Sequence, residues 1–370
     1  MKEIEILHNQ AMDLAEKAVM LRVRKKTDES IDAFNSAFQL ETQAAMQLKD
    51  LFEFEPSRSI MFRSAASLAL NARRYREAEK MIAIGLSGNP PDPIADELRN
   101  LYENINFERH LHLKGVTLSD TDIQLSLAGN SAGYGMIKAD EFIKRAEIFN
   151  NMTIRTAERL YNKPFRVSGK VSRDIKENFE TYYSVPRAAS FAITLRVGYR
   201  HNTYSLFEEQ DIQAVVVNEI VENIKMVNNH DENKLKEKIE NEDYFINTLG
   251  LIKKLSPDNK EISLVGLTTQ KNGNENMVSF TRLTDEIKLA PIICKEGVSD
   301  MEDVFITGKL IYANAPTSGI RLTTDNGEQY TIIIPKGLLA DIVKPYWEQT
   351  VTIKGKKNGK KIIFEDLKVE

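Results

Sequence analysis

A serine flanked by glycines is the first feature of the sequence that could carry out chemistry. The segment 129–133, GNSAG, follows a predicted strand and precedes a predicted helix, which is the order and spacing of a nucleophile elbow. A nucleophilic serine also needs a base, usually a histidine held by a carboxylate. Downstream of Ser131 only His201 and His230 are available. We predict that Ser131 caps a helix in a glycine-rich connection, with a serine hydrolase kept as an alternative function.

A run of basic residues covers the end of the next predicted helix and the loop after it. From Arg155 to Lys176 the only acidic residues are Glu158 and Asp174. A basic run can contact phosphates, and a solvated helix end with its loop accounts for the same pattern. The arginines of the run are the candidate nucleic-acid contacts, namely Arg155, Arg159, Arg166 and Arg173.

Two patterns in the sequence contain histidines that could take part in a metal site or a catalytic site. His110 and His112 would project from the same face of a strand, as metal ligands can, but no cluster of Cys or His supplies further ligands. We therefore predict a surface histidine pair and neither a metal nor a cofactor. Arg196 and His201 have a spacing that resembles the Arg–His motif of a prokaryotic ribonuclease family that works from a helical bundle. In this chain, however, Arg196 falls in a strand pattern.

Composition limits the class of protein. The chain has 370 residues, 42% of them hydrophobic and 28% charged, with a formal net charge of −4, which predicts several globular domains and no whole-chain attraction to nucleic acid. The single cysteine, Cys294, excludes an intrachain disulfide and fits a reducing compartment. The first residues, MKEIEILHNQ, lack the apolar run of a signal peptide, and no long apolar stretch follows. We predict a cytoplasmic protein that does not enter a membrane.

Residues 1–106 are predicted to form antiparallel helical hairpins. Apolar residues recur at spacings of three and four, and short turns separate the amphipathic segments. The segment Arg74–Lys80, followed by Gly85 and Pro90, resembles the second helix of a tetratricopeptide repeat. Pro56 lies 34 positions before Pro90, which is the period of that family. The resemblance covers about residues 25–105 and implies a concave surface for a peptide or protein partner. A plain helical bundle is the alternative.

Residues 107–290 are predicted to form a central α/β domain with a mostly antiparallel sheet. Strand-like alternation occurs at Leu111 and Leu113, at 123–127 and at 191–197. Helical patterns cover 138–161, 212–227 and 232–255, and Asn272–Gly273 favours a hairpin between two further strands. No known superfold is assigned to this region.

Residues 301–370 are predicted to form a five-stranded barrel. Three strands, a short helix and two strands follow one another, and this order resembles the oligonucleotide/oligosaccharide-binding (OB) fold. In that family the ligand lies on strands two and three and between the loops that join strands one to two and four to five. The resemblance implies a face with Arg321 and Tyr330. The second loop carries four lysines: Lys356, Lys357, Lys360 and Lys361. A lysine-rich hairpin tip also blocks edge-to-edge pairing of strands.

The sequence thus predicts a multidomain α+β protein made of helical hairpins, a central α/β domain and an OB-like barrel. We interpret it as a non-catalytic scaffold or regulatory protein that binds a protein partner through its helices and a second ligand through its barrel. The first alternative is a nucleic-acid-binding protein that uses the basic run and the lysine loop together. The second is the serine hydrolase.

Overall fold

The computed structural model describes residues 2–24, 26–111, 118–133, 136–184, 191–198, 212–271, 273–289, 302–314, 319–358 and 361–369. The chain divides into two compact units, Met1–His110 and Leu111–Glu370. The first unit corresponds to the predicted helical region. The second contains both the predicted central region and the predicted barrel, and their separation into two domains at residues 290–301 stays a prediction.

The first unit is built from helical hairpins. Its helices are α1 (Lys2–Val23), α2 (Thr27–Gln47), α3 (Ser57–Asn71), α4 (Tyr75–Leu86) and α5 (Asp92–Leu111), with a 3₁₀ turn at Phe52–Phe54. The start of α1 meets the end of α2 through His8 and Glu41, whereas the end of α1 meets the start of α2 where Ser30 donates to the carbonyl oxygen of Ala18 at 2.8 Å. These two helices are therefore antiparallel, and the predicted helical region is confirmed.

Helix α5 is longer than the sequence pattern indicated. The sequence pattern predicted a helical region to residue 106 and a strand at Leu111, but α5 continues to Leu111. The extra turns are held by Ile105 and Phe107, which are buried at 0% and 1% exposure. The burial of these residues therefore outweighs the short alternation at the end of the helix. Leu113 lies outside the described residues.

A buried arginine joins the ends of two helices in the first unit. Arg58 is 1% exposed, and it donates to the carbonyl oxygens of Lys49, just beyond α2, and of Ile84, near the end of α4, both at 2.8 Å. Carbonyl groups at helix C-termini lack partners within the helix, so one side chain satisfies two helix ends. Glu55 pairs with the same guanidinium at 3.1 Å. A Cβ at Gly88 would lie 2.4 Å from Nη1 of Arg58, which explains the glycine.

The helices of the first unit cross closely at alanines. Ala65, Ala66 and Ala69 on α3 and Ala78 on α4 are each 0% exposed. A Cβ at Gly85 would lie 3.0 Å from Leu98, so the neighbouring contact is equally tight. Small side chains therefore set the distance between these helix axes.

Replacing Ala66 with leucine should overpack this crossing and lower the free energy of unfolding by about 1–3 kcal/mol. Thermal unfolding followed by far-ultraviolet circular dichroism measures the change. Ala83→Leu is the matched control, because Ala83 lies on α4 with its side chain exposed. Equal unfolding temperatures for the two variants would contradict the tight crossing.

The central part of the second unit is a five-stranded antiparallel sheet with helices packed on it. The strands are β1 (Asp122–Ala128), β2 (Ala132–Gly133), β3 (Met136–Ile137), β4 (Thr181–Tyr183), β5 (Phe191–Val197), β6 (Leu264–Lys271) and β7 (Asn274–Ser279). The sheet order is β4-β5-β1-β6-β7, and β2 pairs separately with β3. The described helices are α6 (Ala139–Leu160), α7 (Arg173–Asn178), α8 (Ile212–Asn228), α9 (Glu232–Lys238) and α10 (Glu242–Leu255).

The central strand β1 is buried along its whole length. On one face Leu125 pairs with Ile193 and Leu267 of the neighbouring strands, and these side chains share one hydrophobic core with α6, α8 and α10. The predicted hairpin between β6 and β7 is confirmed by their antiparallel register, with Gly273 at a φ of +80° in its turn.

The end of the chain forms a closed five-stranded barrel. Its strands are β8 (Asp303–Asn314), β9 (Gly319–Thr323), β10 (Gln329–Ile333), β11 (Thr350–Asn358) and β12 (Lys361–Val369). Around the barrel the order is β10-β12-β11-β8-β9, with β10 parallel to β12 and the other pairs antiparallel. Between β10 and β11 the chain is helical at Lys336–Leu338, Leu339–Val343 and Lys344–Tyr346. We call this stretch, residues 336–346, the connecting helix.

The connecting helix packs against α10 at two glycines. A Cβ at Gly250 would lie 2.6 Å from Leu338, and a Cβ at Gly337 would lie 2.3 Å from the carbonyl oxygen of Asp243. Either substitution would push the two elements apart, so the glycines permit backbone contact. Asn247 of α10 donates to the carbonyl oxygen of Gly337 at 2.7 Å. The barrel is thus packed directly on the central helices.

Candidate functional site

The outer face of the barrel carries a row of exposed side chains. Along β8 and β9, Leu310 and Leu322 point into the barrel core with 0% exposure, and their neighbours Lys309 and Arg321 are exposed. This is the alternation expected of a strand with one buried face. The outward positions of neighbouring strands are in register, so they form one continuous surface.

An aromatic ring lies on this surface. Phe305 of β8 is 68% exposed, and its partner across the β8–β11 ladder is Lys354. The Nζ atom of Lys354 lies 5.9 Å from the centroid of the phenyl ring, within the range of a cation–π contact. An exposed ring beside an ammonium group can stack on a planar ligand and pair with an anionic one.

Lys354 keeps its positive charge. Partial burial lowers the pKa of its ammonium group, but the hydrogen bond and charge of Glu365 outweigh this effect and leave the pKa above its ordinary value. The two groups lie 3.1 Å apart. Two positions further along β11, the Nζ atom of Lys356 lies 2.7 Å from the carboxylate of Asp303. The hydrogen bond from Lys356 lowers the pKa of that carboxyl group.

Two threonine hydroxyls follow the ring on the same surface. Thr307 is paired with Thr352 across the ladder, and their Oγ1 atoms lie 2.7 Å apart. The next outward position on β8 is Lys309, opposite Thr323 of β9 and Thr350 of β11. Along β8 the surface therefore presents an aromatic ring, a hydroxyl group and a lysine in sequence.

The residues predicted from the OB resemblance fall on different sides of the barrel wall. Arg321 is exposed on the outer surface and pairs with Thr331 of β10. Tyr330 pairs with the inward residue Leu322 and packs against the core, while its hydroxyl group donates to Glu328 at 2.7 Å. That hydrogen bond raises the pKa of Tyr330. The sequence pattern placed Tyr330 on the same face as Arg321, and the register places it on the other.

The lysine loop adjoins the exposed ring. Lys356 and Lys357 continue β11 past Lys354, and the backbone N–H of Lys357 donates to the carbonyl oxygen of Glu302 at 3.0 Å, just before β8. Lys357 is exposed. Lys361 begins β12, and Lys360 lies outside the described residues.

Phe305 was not among the residues predicted from the sequence, although the sequence carries a signal for it. Val304, Ile306 and Leu310 occupy the inward positions of β8, whereas Phe305 occupies an outward position with Thr307 and Lys309. A large aromatic residue on the polar face of an alternating strand is the pattern that could have identified it.

The basic run has a structural role at its centre. Arg155 is 3% exposed; its Nε donates to Asp341 of the connecting helix at 2.7 Å and its Nη1 donates to Glu158 at 3.0 Å. Arg166 donates to the other oxygen of Glu158 at 2.8 Å. Burial lowers the pKa of Arg155, and the hydrogen bonds and charges of the two carboxylates more than compensate, so its pKa is raised. A phosphate would have to displace these carboxylates to reach Arg155.

Three further basic residues of the run also contact carboxylates. Arg159 pairs with Glu219 of α8. Lys163 donates to Asp174 at 2.7 Å, which lowers the pKa of Asp174 to about 2. Arg173 is 89% exposed and pairs only one turn away, with Glu177 at 2.6 Å. Arg173 is therefore the one of the four candidate arginines that lies fully at the surface.

Replacing Arg155 with methionine should lower the free energy of unfolding of the second unit by about 3–5 kcal/mol, because two buried carboxylates lose their partner. The single tryptophan, Trp347, lies in the barrel and reports unfolding by fluorescence in a urea titration. Arg173→Met removes the same charge from an exposed pair and should change the free energy by less than about 1 kcal/mol. Equal midpoints for the two variants would contradict the structural role of Arg155.

Ser131 lies in a turn that differs from a nucleophile elbow. The turn is closed by a bridge between Gly129 and Ala132 and leads into the β2–β3 hairpin, where an elbow would enter a helix. The hydroxyl group of Ser131 donates to the carboxylate of Glu261, and its N–H donates to the carbonyl oxygen of Glu261 at 2.9 Å. A Cβ at Gly129 would lie 2.6 Å from the backbone nitrogen of Ser263. These contacts hold the turn against the segment that precedes β6. That Ser131 is not a nucleophile stays a prediction.

The two histidine patterns fall partly outside the described residues. His112 and His201 lie outside the described residues. Arg196 lies on β5, and its Nε and Nη2 donate to the two oxygens of Asp122 at 2.7 and 2.9 Å. Among the described residues no group of His, Cys, Asp and Glu side chains has the arrangement of a metal site.

Comparisons with protein-family models, with curated proteins and with solved structures found no match. Within the described residues no helix is both long enough and apolar enough to span a membrane.

Proposed function

We propose that this chain is a non-catalytic binding protein whose barrel takes single-stranded nucleic acid on its outer face. The observation that carries the proposal is Phe305, a ring that is 68% exposed with the ammonium group of Lys354 beside it. Bases stack on exposed aromatic side chains in single-strand-binding proteins, and lysines along the same groove track the phosphates. Duplex DNA hides its base faces, so a ring on a sheet surface suits a single strand.

The strand order of the barrel supports an OB-type assignment. Strand one pairs with two and four, and strand three lies parallel to five, as expected for the family that the sequence resembles. The exposed ring lies on the first strand beside the fourth, next to the loop that joins strands four and five. In that family this loop borders the ligand. The lysine loop would thus supply charge where the strand of nucleic acid leaves the ring.

The helical unit is proposed to bind a protein partner. The 34-residue spacing and the antiparallel hairpins support a repeat-type surface. A protein that joined these two functions would bring a protein partner to single-stranded nucleic acid without catalysing a reaction. Retention of a protein partner by the isolated complex after nuclease treatment would test this second function separately.

Phe305→Ala should weaken binding of a short fluorescent single-stranded oligonucleotide by about 1–3 kcal/mol, because one stacked base loses its platform. Fluorescence anisotropy at low salt measures the dissociation constant. Phe305→Trp should retain binding. Phe52→Ala is the matched control, since Phe52 is 53% exposed in the helical unit. Identical affinities for wild type and Phe305→Ala would contradict the proposal.

Reversing the charge of the lysine loop should abolish binding and leave the fold unchanged. The variant replaces Lys356, Lys357, Lys360 and Lys361 with glutamate. Each phosphate that wild type neutralises contributes about −0.7 to the slope of log affinity against log salt, so titrations at two salt concentrations report the number of contacts.

A second variant controls for net charge in this experiment. It replaces four exposed lysines outside the barrel with glutamate: Lys17, Lys80, Lys234 and Lys236. It carries the same total charge as the loop variant and should bind like wild type. Equal loss of affinity in both variants would show an effect of net charge alone and would refute a specific role of the loop.

A further inference from the structure

The outer face of the barrel places a hydroxyl group beside the exposed ring. Thr307 follows Phe305 by two positions on β8, so the two side chains share a face and lie about 7 Å apart along the strand. The Oγ1 atom of Thr307 lies 2.7 Å from that of Thr352. This spacing is on the scale of a single nucleoside whose base stacks on the ring.

A hydroxyl group has one hydrogen to donate and two lone pairs to accept with. The bond between the two threonines uses one donor and one acceptor, so Thr307 retains hydrogen-bonding capacity towards solvent. Lysines and arginines contact phosphates, which are the same in RNA and DNA. The 2′-hydroxyl group occurs only in RNA, and it both donates and accepts hydrogen bonds. A neutral hydroxyl at this place can therefore distinguish the two polymers where charge cannot.

We propose that the barrel selects single-stranded RNA over single-stranded DNA through Thr307. A base stacks on Phe305, the 2′-hydroxyl group of its ribose forms a hydrogen bond with Thr307, and the adjoining phosphate contacts the lysine loop. The inference rests on the proposed function, and it adds the sugar that the same site recognises.

The test compares oligouridylate with oligodeoxyuridylate of equal length, about 12 nucleotides. These probes differ only in the 2′-hydroxyl group. By fluorescence anisotropy, full-length wild type should bind the RNA about fivefold more tightly than the DNA, the ratio expected for one net hydrogen bond. Thr307→Val keeps the shape of the side chain and its β-branch, and it should reduce this ratio to about one by weakening only RNA binding.

Two further variants control for folding and for the hydroxyl group itself. Thr307→Ser keeps the hydroxyl group and should retain the preference for RNA. Thr27→Val makes the same substitution at an exposed position of the helical unit and should leave the ratio unchanged.

The outcomes separate this inference from the proposed function. Equal affinity of wild type for both probes, or an unchanged ratio in Thr307→Val, overturns the selection of RNA and leaves single-strand binding in place. Binding of neither probe by wild type overturns both.

Discussion

The guanidinium group of Arg155 fixes how the barrel is attached to the rest of its unit. It lies on α6, and it reaches the carboxylate of Asp341 on the connecting helix while also binding Glu158 on its own helix. Asp341 in turn accepts from Asn247 of α10 at 2.9 Å. Three elements thus meet at one buried charge cluster. Because a buried ion left without its partner costs several kcal/mol, the barrel has one favourable position on the helices.

A second charged contact joins the barrel to α10. Asp366 of β12 faces Lys253 and Lys254 of α10, at 3.4 and 3.5 Å. Burial alone would raise the pKa of Asp366, but the two ammonium groups hold it below its ordinary value. The preceding residue, Glu365, faces Lys354 on the proposed ligand face. The β11–β12 register shifts at this point, and such a bulge redirects neighbouring side chains. Two adjacent carboxylates therefore have different partners: Asp366 pairs with α10, and Glu365 pairs with Lys354 on the proposed ligand face.

The sequence predicted elements whose evidence is local. Helices α2, α6 and α8 and the β6–β7 hairpin follow from periodicity and from a glycine turn, and the barrel follows from five short alternating segments separated by turns. The role of the basic run could not be predicted, because the partner of Arg155 lies 186 positions away. The length of α5 was underestimated, since the burial that extends it involves other helices. The side of Tyr330 depends on strand register, which a one-residue change reverses.

The proposed ligand face rests on an aromatic residue and not on the basic run, because the basic run is largely paired within the fold. Basic side chains in a folded protein often pair with carboxylates. Arg155, Arg159 and Arg166 each do so, and their carboxylate partners come from separate parts of the unit. The number of basic residues in a sequence segment therefore overestimates the positive charge that a ligand would encounter on the folded protein. A phenyl ring that points to solvent adds little to the stability of the fold, because an aromatic side chain stabilises a protein mainly when it is buried. Lys354 and Lys356 of the barrel pair with Glu365 and Asp303 in the same way, so the exposed ring is the feature that distinguishes the proposed ligand face from the basic run.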